Sequence, residues 1–289
     1  MKKKNFLLGP FIGKIFSRLY IIISLLIILV PLLWMFSISF RKAGEITESR
    51  FLFIPKTIDL SNFSTAIQWA TWRGYPFTLL YKNSTIITGS AILLTLIIAT
   101  VAGYAFAKFK FKGQTAIFFG IMLGLMLPIQ VILIPIFVFS KYTHLLNTYF
   151  SLILPYTAFG LPISIFVMRQ FFYSISNELI VAARIDGATE FGIFLRIALP
   201  ISRPALATVI IVLFLQNWNE FILARVLLMK EKLYTFPVAL STLVSGEGRS
   251  MPWGTYSAVV FISIIPIIVV FIIFQNWFIK GLTAGSIKG

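Results

Sequence analysis

The chain has 289 residues, of which 58% are hydrophobic and 12% charged, against about 25% charged for a soluble domain, so its solvent is the bilayer. Net charge is +16, but the basic residues cluster at the ends of apolar runs, where they set topology and meet anionic head groups, and this argues against nucleic acid as a partner. Cysteine is absent, which excludes disulfides, a thiol nucleophile and cysteine-ligated metal.

In chain order, residues 1–18 open with Met1-Lys2-Lys3-Lys4 and precede the uncharged run Leu19–Phe40. That run is too long for the apolar core of a signal peptide, and no small-residue cleavage site follows it. It reads as a first membrane span. Residues 41–82 form an extracytoplasmic loop. The core, 83–279, holds five more runs long enough to cross the hydrocarbon: Asn83–Ala107, Gln114–Ser140, Leu145–Met168, Pro204–Met229 and Tyr256–Ile279. A tail, 280–289, closes the chain. Six spans place both ends on one side. The N-terminal lysines and the tight turn Lys108, Lys110, Lys112 assign that side to the cytoplasm.

Small residues recur at four-residue spacing as Ala99, Gly103 and Ala107 in span two, and as Gly120 and Gly124 in span three. Such spacing lets helix backbones approach closely. Pro128, Pro135, Pro155 and Pro162 lie inside spans three and four and predict kinks there.

Residues 169–203 are a cytoplasmic loop with its own pattern. Ser176 or Asn177 can cap a helix with Glu178 in its first turn. Leu179, Ala182 and Ala183 are expected on one face, and Asp186-Gly187 ends the turn. A second short amphipathic segment runs from Glu190 to Leu199. The small side chains suit close approach by another protein. An interfacial helix on head groups is the alternative, but it favours bulky apolar residues and lysine.

Span five alone carries charge, Glu220 and Arg225. An acid inside a span is expensive and is read as functional. With Gln216, Asn217, Trp218 and Asn219 it makes a polar–aromatic patch of amides and an indole. The alternative is a structural hydrogen-bond network with Arg225 or with another subunit.

The string Glu178-Leu-Ile-Val-Ala-Ala-Arg-Ile-Asp-Gly-Ala-Thr-Glu-Phe191, followed by Ile197-Ala-Leu-Pro-Ile-Ser-Arg-Pro-Ala-Leu206, resembles the EAA loop of binding-protein-dependent ABC importer permeases. More narrowly it resembles the carbohydrate permeases of the maltose-transporter type, the second of a permease pair. Asn217-Trp-Asn-Glu-Phe221, Thr235-Phe-Pro-Val-Ala-Leu240, Pro252-Trp-Gly254 and the ending Phe278–Gly289 are similar to that family in the same order. One departure is Val181, where the family usually has the glutamate before the paired alanines.

The resemblance implies an all-α integral membrane protein: six transmembrane helices with a cytoplasmic coupling-helix loop, the type I ABC importer permease fold. It implies a bacterial or archaeal cytoplasmic membrane. It further implies a second permease subunit, two ATPase subunits that hold ATP and magnesium, and an extracytoplasmic solute-binding protein facing 41–82 and 230–255. No cofactor is expected on this chain, and no GxxxxGK[ST] phosphate loop occurs; Gly9 to Lys14 has the wrong spacing. Ala182, Ala183 and Gly187 are expected to contact the ATPase, with Glu178, Arg184 and Asp186 beside them. An ion-coupled secondary transporter would need coupling residues near the midplane, of which only Glu220 and Arg225 are available. A structural membrane subunit is the other alternative.

Overall fold

A computed structural model describes residues 8–48, 53–244 and 251–284. Residues 1–7, 49–52, 245–250 and 285–289 lie outside the described residues, and with them the first lysines, parts of the two outer segments and the end of the tail. The described residues form helices and no strands. In hydrocarbon every backbone group must be satisfied internally, and a helix achieves this within one segment.

The long helices are α1 (Leu8–Ser39), with α2 (Ala43–Glu48) and α3 (Ser61–Trp72) after it, and then α4 (Phe77–Lys108). Span three is made of α5 (Gln114–Met122), a 3-10 turn Leu123–Met126 and α6 (Ile129–Tyr142); α7 (Phe150–Ser174) follows. Four helices are long and apolar enough to cross a membrane, Phe16–Ser39, Phe77–Lys108, Phe150–Ser174 and Trp253–Phe278, and two bent pairs raise the count to six.

Span three carries the kink expected at Pro128 as a complete break. Its halves meet at 99°. Pro128 supplies no N–H and drives Leu127 out of helical geometry, to φ −82° and ψ 112°, so the first half stops and the second starts anew. Pro135, Pro155 and Pro162 lie within α6 and α7 without interrupting them. Span four begins later than expected. Leu145–Tyr149 belong to a turn, with His144 and Asn147 at positive φ.

The chain divides into two compact units, described separately. In the first, Phe36, Phe40, Phe63 and Phe261 form an aromatic cluster. Asn62 is buried and donates from Nδ2 to the carbonyls of Ser39 (3.1 Å) and Arg41 (2.7 Å). A Cβ on Gly254 would lie 2.6 Å from that amide, so only glycine fits there.

In the second unit α4 and α7 pack along their length, joined by α11 (Arg203–Trp218). Gly103 makes the α4–α7 contact possible, since a Cβ there would stand 2.8 Å from Met168 Cβ and 3.0 Å from the Arg169 backbone nitrogen. Ala99 is fully buried on the same helix. The span-three pair behaves differently: Gly120 faces open space, and only Gly124 is close-packed, against Pro162. Toward the N-terminal end of α4, Asn83 Nδ2 donates to the carbonyls of Lys232 and Tyr234, both at 3.0 Å, and its Oδ1 accepts from Tyr149 at 2.6 Å.

Candidate functional site

The loop of residues 169–203 holds α8 (Asn177–Ile185), α9 (Glu190–Ile193) and α10 (Leu199–Ile201), with a π-turn Phe194–Ala198 between the last two. Ser176 is the cap, its hydroxyl accepting from the Glu178 backbone N–H at 3.2 Å. Glu178 sits at the positive end of the helix and Arg184 at the negative end. Gly187 stops α8 in the left-handed region, at φ +84°, which lets Ala188 N–H return to the Ala183 carbonyl at 2.9 Å. Thr189 caps α9 through the Gly192 N–H at 3.1 Å. The exposed Arg184 pairs with Glu190, and that hydrogen bond raises the guanidinium above its ordinary value.

The paired alanines part company. Ala183 and Ile180 are buried and pack with Ile193, Phe194, Phe172 and Tyr104 in the chain's own core. Ala182, Leu179, Val181 and Ile185 face outward, Ile185 at 81% exposure. Successive helical residues lie about 100° apart, so one member of an adjacent pair turns in when the other turns out. The expected shared face of Leu179, Ala182 and Ala183 is therefore corrected to an outer Leu179–Ala182–Ile185 stripe. Glu178, Arg184, Asp186 and Gly187 are exposed. A groove of about 350 Å³ beside them is lined by Gly187, Ala188, Thr189, Gly192, Arg196 and Ile197.

A second feature lies where span five breaks. α11 ends at Trp218, and Asn219–Phe221 separates it from α12 (Ile222–Leu227). Glu220 makes this break stable. Its Oε1 accepts from Leu223 N–H at 2.7 Å, and its Oε2 from Ala224 N–H at 3.1 Å and from the Tyr156 hydroxyl at 2.7 Å. The acid thus caps the restarted helix and is braced by α7. Arg225 takes no part in this; it meets the Tyr234 hydroxyl at 3.2 Å.

Gln216, Asn219 and Glu220 line a cavity of about 520 Å³ with Phe159 and Phe221, and Gly124, Leu125 and Leu127 from the break in span three complete its wall. Two interrupted helices therefore face one polar cavity, an arrangement found where transporters hold solutes. Asn217 and Trp218 do not join it. Both are buried, and Trp218 stacks on Phe214 with ring centroids 5.2 Å apart. An adjoining apolar cavity of about 570 Å³ runs between α6 and α7 past Ile132, Phe139, Phe150 and Leu154.

Two residues have roles in this framework that escape a reading of the sequence, Asn83 and Tyr156. Asn83 and Tyr156 are polar groups in apolar runs, and that is the only trace they leave. Among the described residues no cluster of three His, Cys, Asp or Glu side chains is placed to hold a metal. His144, the only histidine, is exposed in its turn.

Comparison with known proteins bears on the family and the fold. Residues 91–284 match the family model described as binding-protein-dependent transport system inner membrane component. The probable ABC transporter permease protein YurM of Bacillus subtilis is 36% identical over 279 residues, covering 96% of this chain and 90% of that one. The arabinooligosaccharides transport system permease protein AraQ of Halalkalibacterium halodurans is 36% identical over 266 residues, covering 90% and 91%. Among solved structures, a bacterial ABC transporter involved in import of the acidic polysaccharide alginate has a chain that superposes with a TM-score of 0.78 at 26% identity, covering 96% of this chain and 99% of that one.

Proposed function

The chain belongs to the binding-protein-dependent transport system inner membrane component family, and from that premise we propose that it is one permease subunit of an ATP-driven importer for a sugar or oligosaccharide. The relative named for arabinooligosaccharides supports the substrate class. The polar cavity at the two helix breaks suits it chemically. Gln216 and Asn219 offer amides to hydroxyl groups, and Phe159 and Phe221 offer apolar faces to sugar rings. Glu220 holds the wall in place, while Asn217 and Trp218 support the path from behind.

ATP and magnesium belong to separate ATPase subunits, and this chain is non-catalytic. The observation that carries the reading is α8: a capped helix outside the spans, presenting Leu179, Val181, Ala182 and Ile185 outward. That face is the docking surface for the ATPase, with Glu178, Arg184, Asp186 and Gly187 at its rim. Ala183 acts from the other side, seating the helix on its own spans. A second permease completes the translocation path, an extracytoplasmic solute-binding protein delivers the sugar, and both termini lie in the cytoplasm.

Co-purification tests the assembly. An ATPase subunit should be retained by the parent chain and lost with Ala182→Trp, which obstructs the outer stripe without touching the core. Uptake driven by an ion gradient without ATP would replace this reading with a secondary transporter.

A further inference from the structure

The cytoplasmic end of α4 is tied to the coupling loop by a contact that topology does not require. Lys108, the last residue of α4, donates from Nζ to the Ile175 carbonyl at 2.7 Å and to Asn177 Oδ1 at 3.0 Å. Ile175 closes α7 and Asn177 opens α8. One ammonium therefore bridges three helix ends. The acceptor carbonyl lies at the negative end of α7, where the last-turn oxygens lack helical partners and a cation is favoured.

The place it grips is a natural hinge. Ile175 and Ser176 are the non-helical residues between α7 and α8, at φ −70°, ψ 126° and φ −55°, ψ 134°. Rotation there would let α8 swing without moving the spans. One turn back on the same face of α4, Tyr104 packs its ring against Phe172 of α7 and Phe194 of the loop. Its hydroxyl and Glu190 Oε2 are both buried without a hydrogen-bond partner among the described residues, and the Glu190 charge acts on that hydroxyl. Span two thus touches the loop on both sides of the hinge.

We propose that Lys108 is a positioning residue that locks this hinge, so that a displacement of α8 moves α4 and α7 as one body. The proposal rests on the importer reading above. Its basic neighbours Lys110 and Lys112 are exposed.

The test uses the full complex in proteoliposomes and needs no sugar. Because the chain lacks cysteine, Leu125→Cys in the cavity wall reports cavity exposure through its labelling by a membrane-impermeant maleimide, read on this chain by mass with and without ATP. Lys108→Met should keep its ATPase subunits and hydrolyse ATP, yet its ATP-dependent change in labelling rate should fall about tenfold, the worth of one charged hydrogen bond. Lys108→Arg should recover most of the change, and Lys110→Met should match the parent. A Lys108→Met complex that responds to ATP as the parent does overturns the proposal. Should that variant fail to assemble, Lys108→Cys with Asn177→Cys joined by a cleavable bifunctional thiol reagent decides. A clamp that never opens tolerates the cross-link; a response lost on joining and regained on cleavage overturns it. A parent complex that ignores ATP would sink the importer reading itself, whereas a normal Lys108→Met sinks only the clamp.

Discussion

Glu220 shows how one side chain can be expensive and indispensable together. An acid inside a span is tolerated because three donors converge on it, two of them backbone N–H groups that the break in span five would otherwise leave bare. Glu220→Ala should lower stability in detergent by about 1–3 kcal/mol, through loss of the cap and an orphaned Tyr156 hydroxyl. Tyr156→Phe removes one of the three bonds and should cost less. Thermal unfolding of the purified complex measures both. Equal stability of Glu220→Ala and the parent would deny the capping role. The glycines give a paired test at the same scale. Gly103→Ala places a methyl group within 2.8 Å of Met168 Cβ and against backbone, and should cost about 1–3 kcal/mol as overpacking. Gly120→Ala meets nothing, and the better helix propensity of alanine should leave it neutral or stabilising by up to about 1 kcal/mol.

At the scale of elements, α8 depends on its ends. A nine-residue helix is marginal on propensity alone, so Ser176, Gly187 and the inward pair Ile180 and Ala183 define it. Gly187→Val forces a β-branched residue to φ +84° and should fray the end of α8 at a cost of about 1–2 kcal/mol. Its expected signature is ATP hydrolysis that continues while uptake falls. Undiminished uptake by that variant would remove the helix from the coupling path. Span three is the contrasting element. Its bend is set by Pro128 at the junction rather than by Pro135 within α6, because only at Pro128 does the preceding residue leave helical geometry.

Across the whole molecule, burial is uneven. The window of the first long helix is 11% buried and that of the last 17%, against 44% and 50% for α4 and α7. The exposed apolar faces, Tyr20, Ile27 and Ile28 among them, are left for lipid and, in the proposed assembly, for the second permease. The chain purified alone in detergent should therefore unfold at a lower temperature than in complex with that subunit, since a partner that binds only the folded state stabilises it. Identical midpoints would show that the second permease contributes nothing to the fold.

The sequence by itself determined the membrane class, the all-α architecture and the place of the short capped helix within residues 169–203. Each follows from local signals: an apolar run of bilayer length, a capping serine before an acid, a glycine that ends a helix. Glu220 was legible as a special residue because charge in hydrocarbon is costly wherever it points. Its role was not, since Tyr156 lies 64 residues away along the chain. Only the tertiary structure decided that Asn217 and Trp218 turn inward while Gln216 and Asn219 face the cavity, that Ala183 is spent on the core while Ala182 is not, and that Lys108 reaches Ile175 and Asn177. The physical reason is the same in each case. Which face of a helix is buried, and which partner reaches a polar group, depend on neighbours that only folding brings alongside.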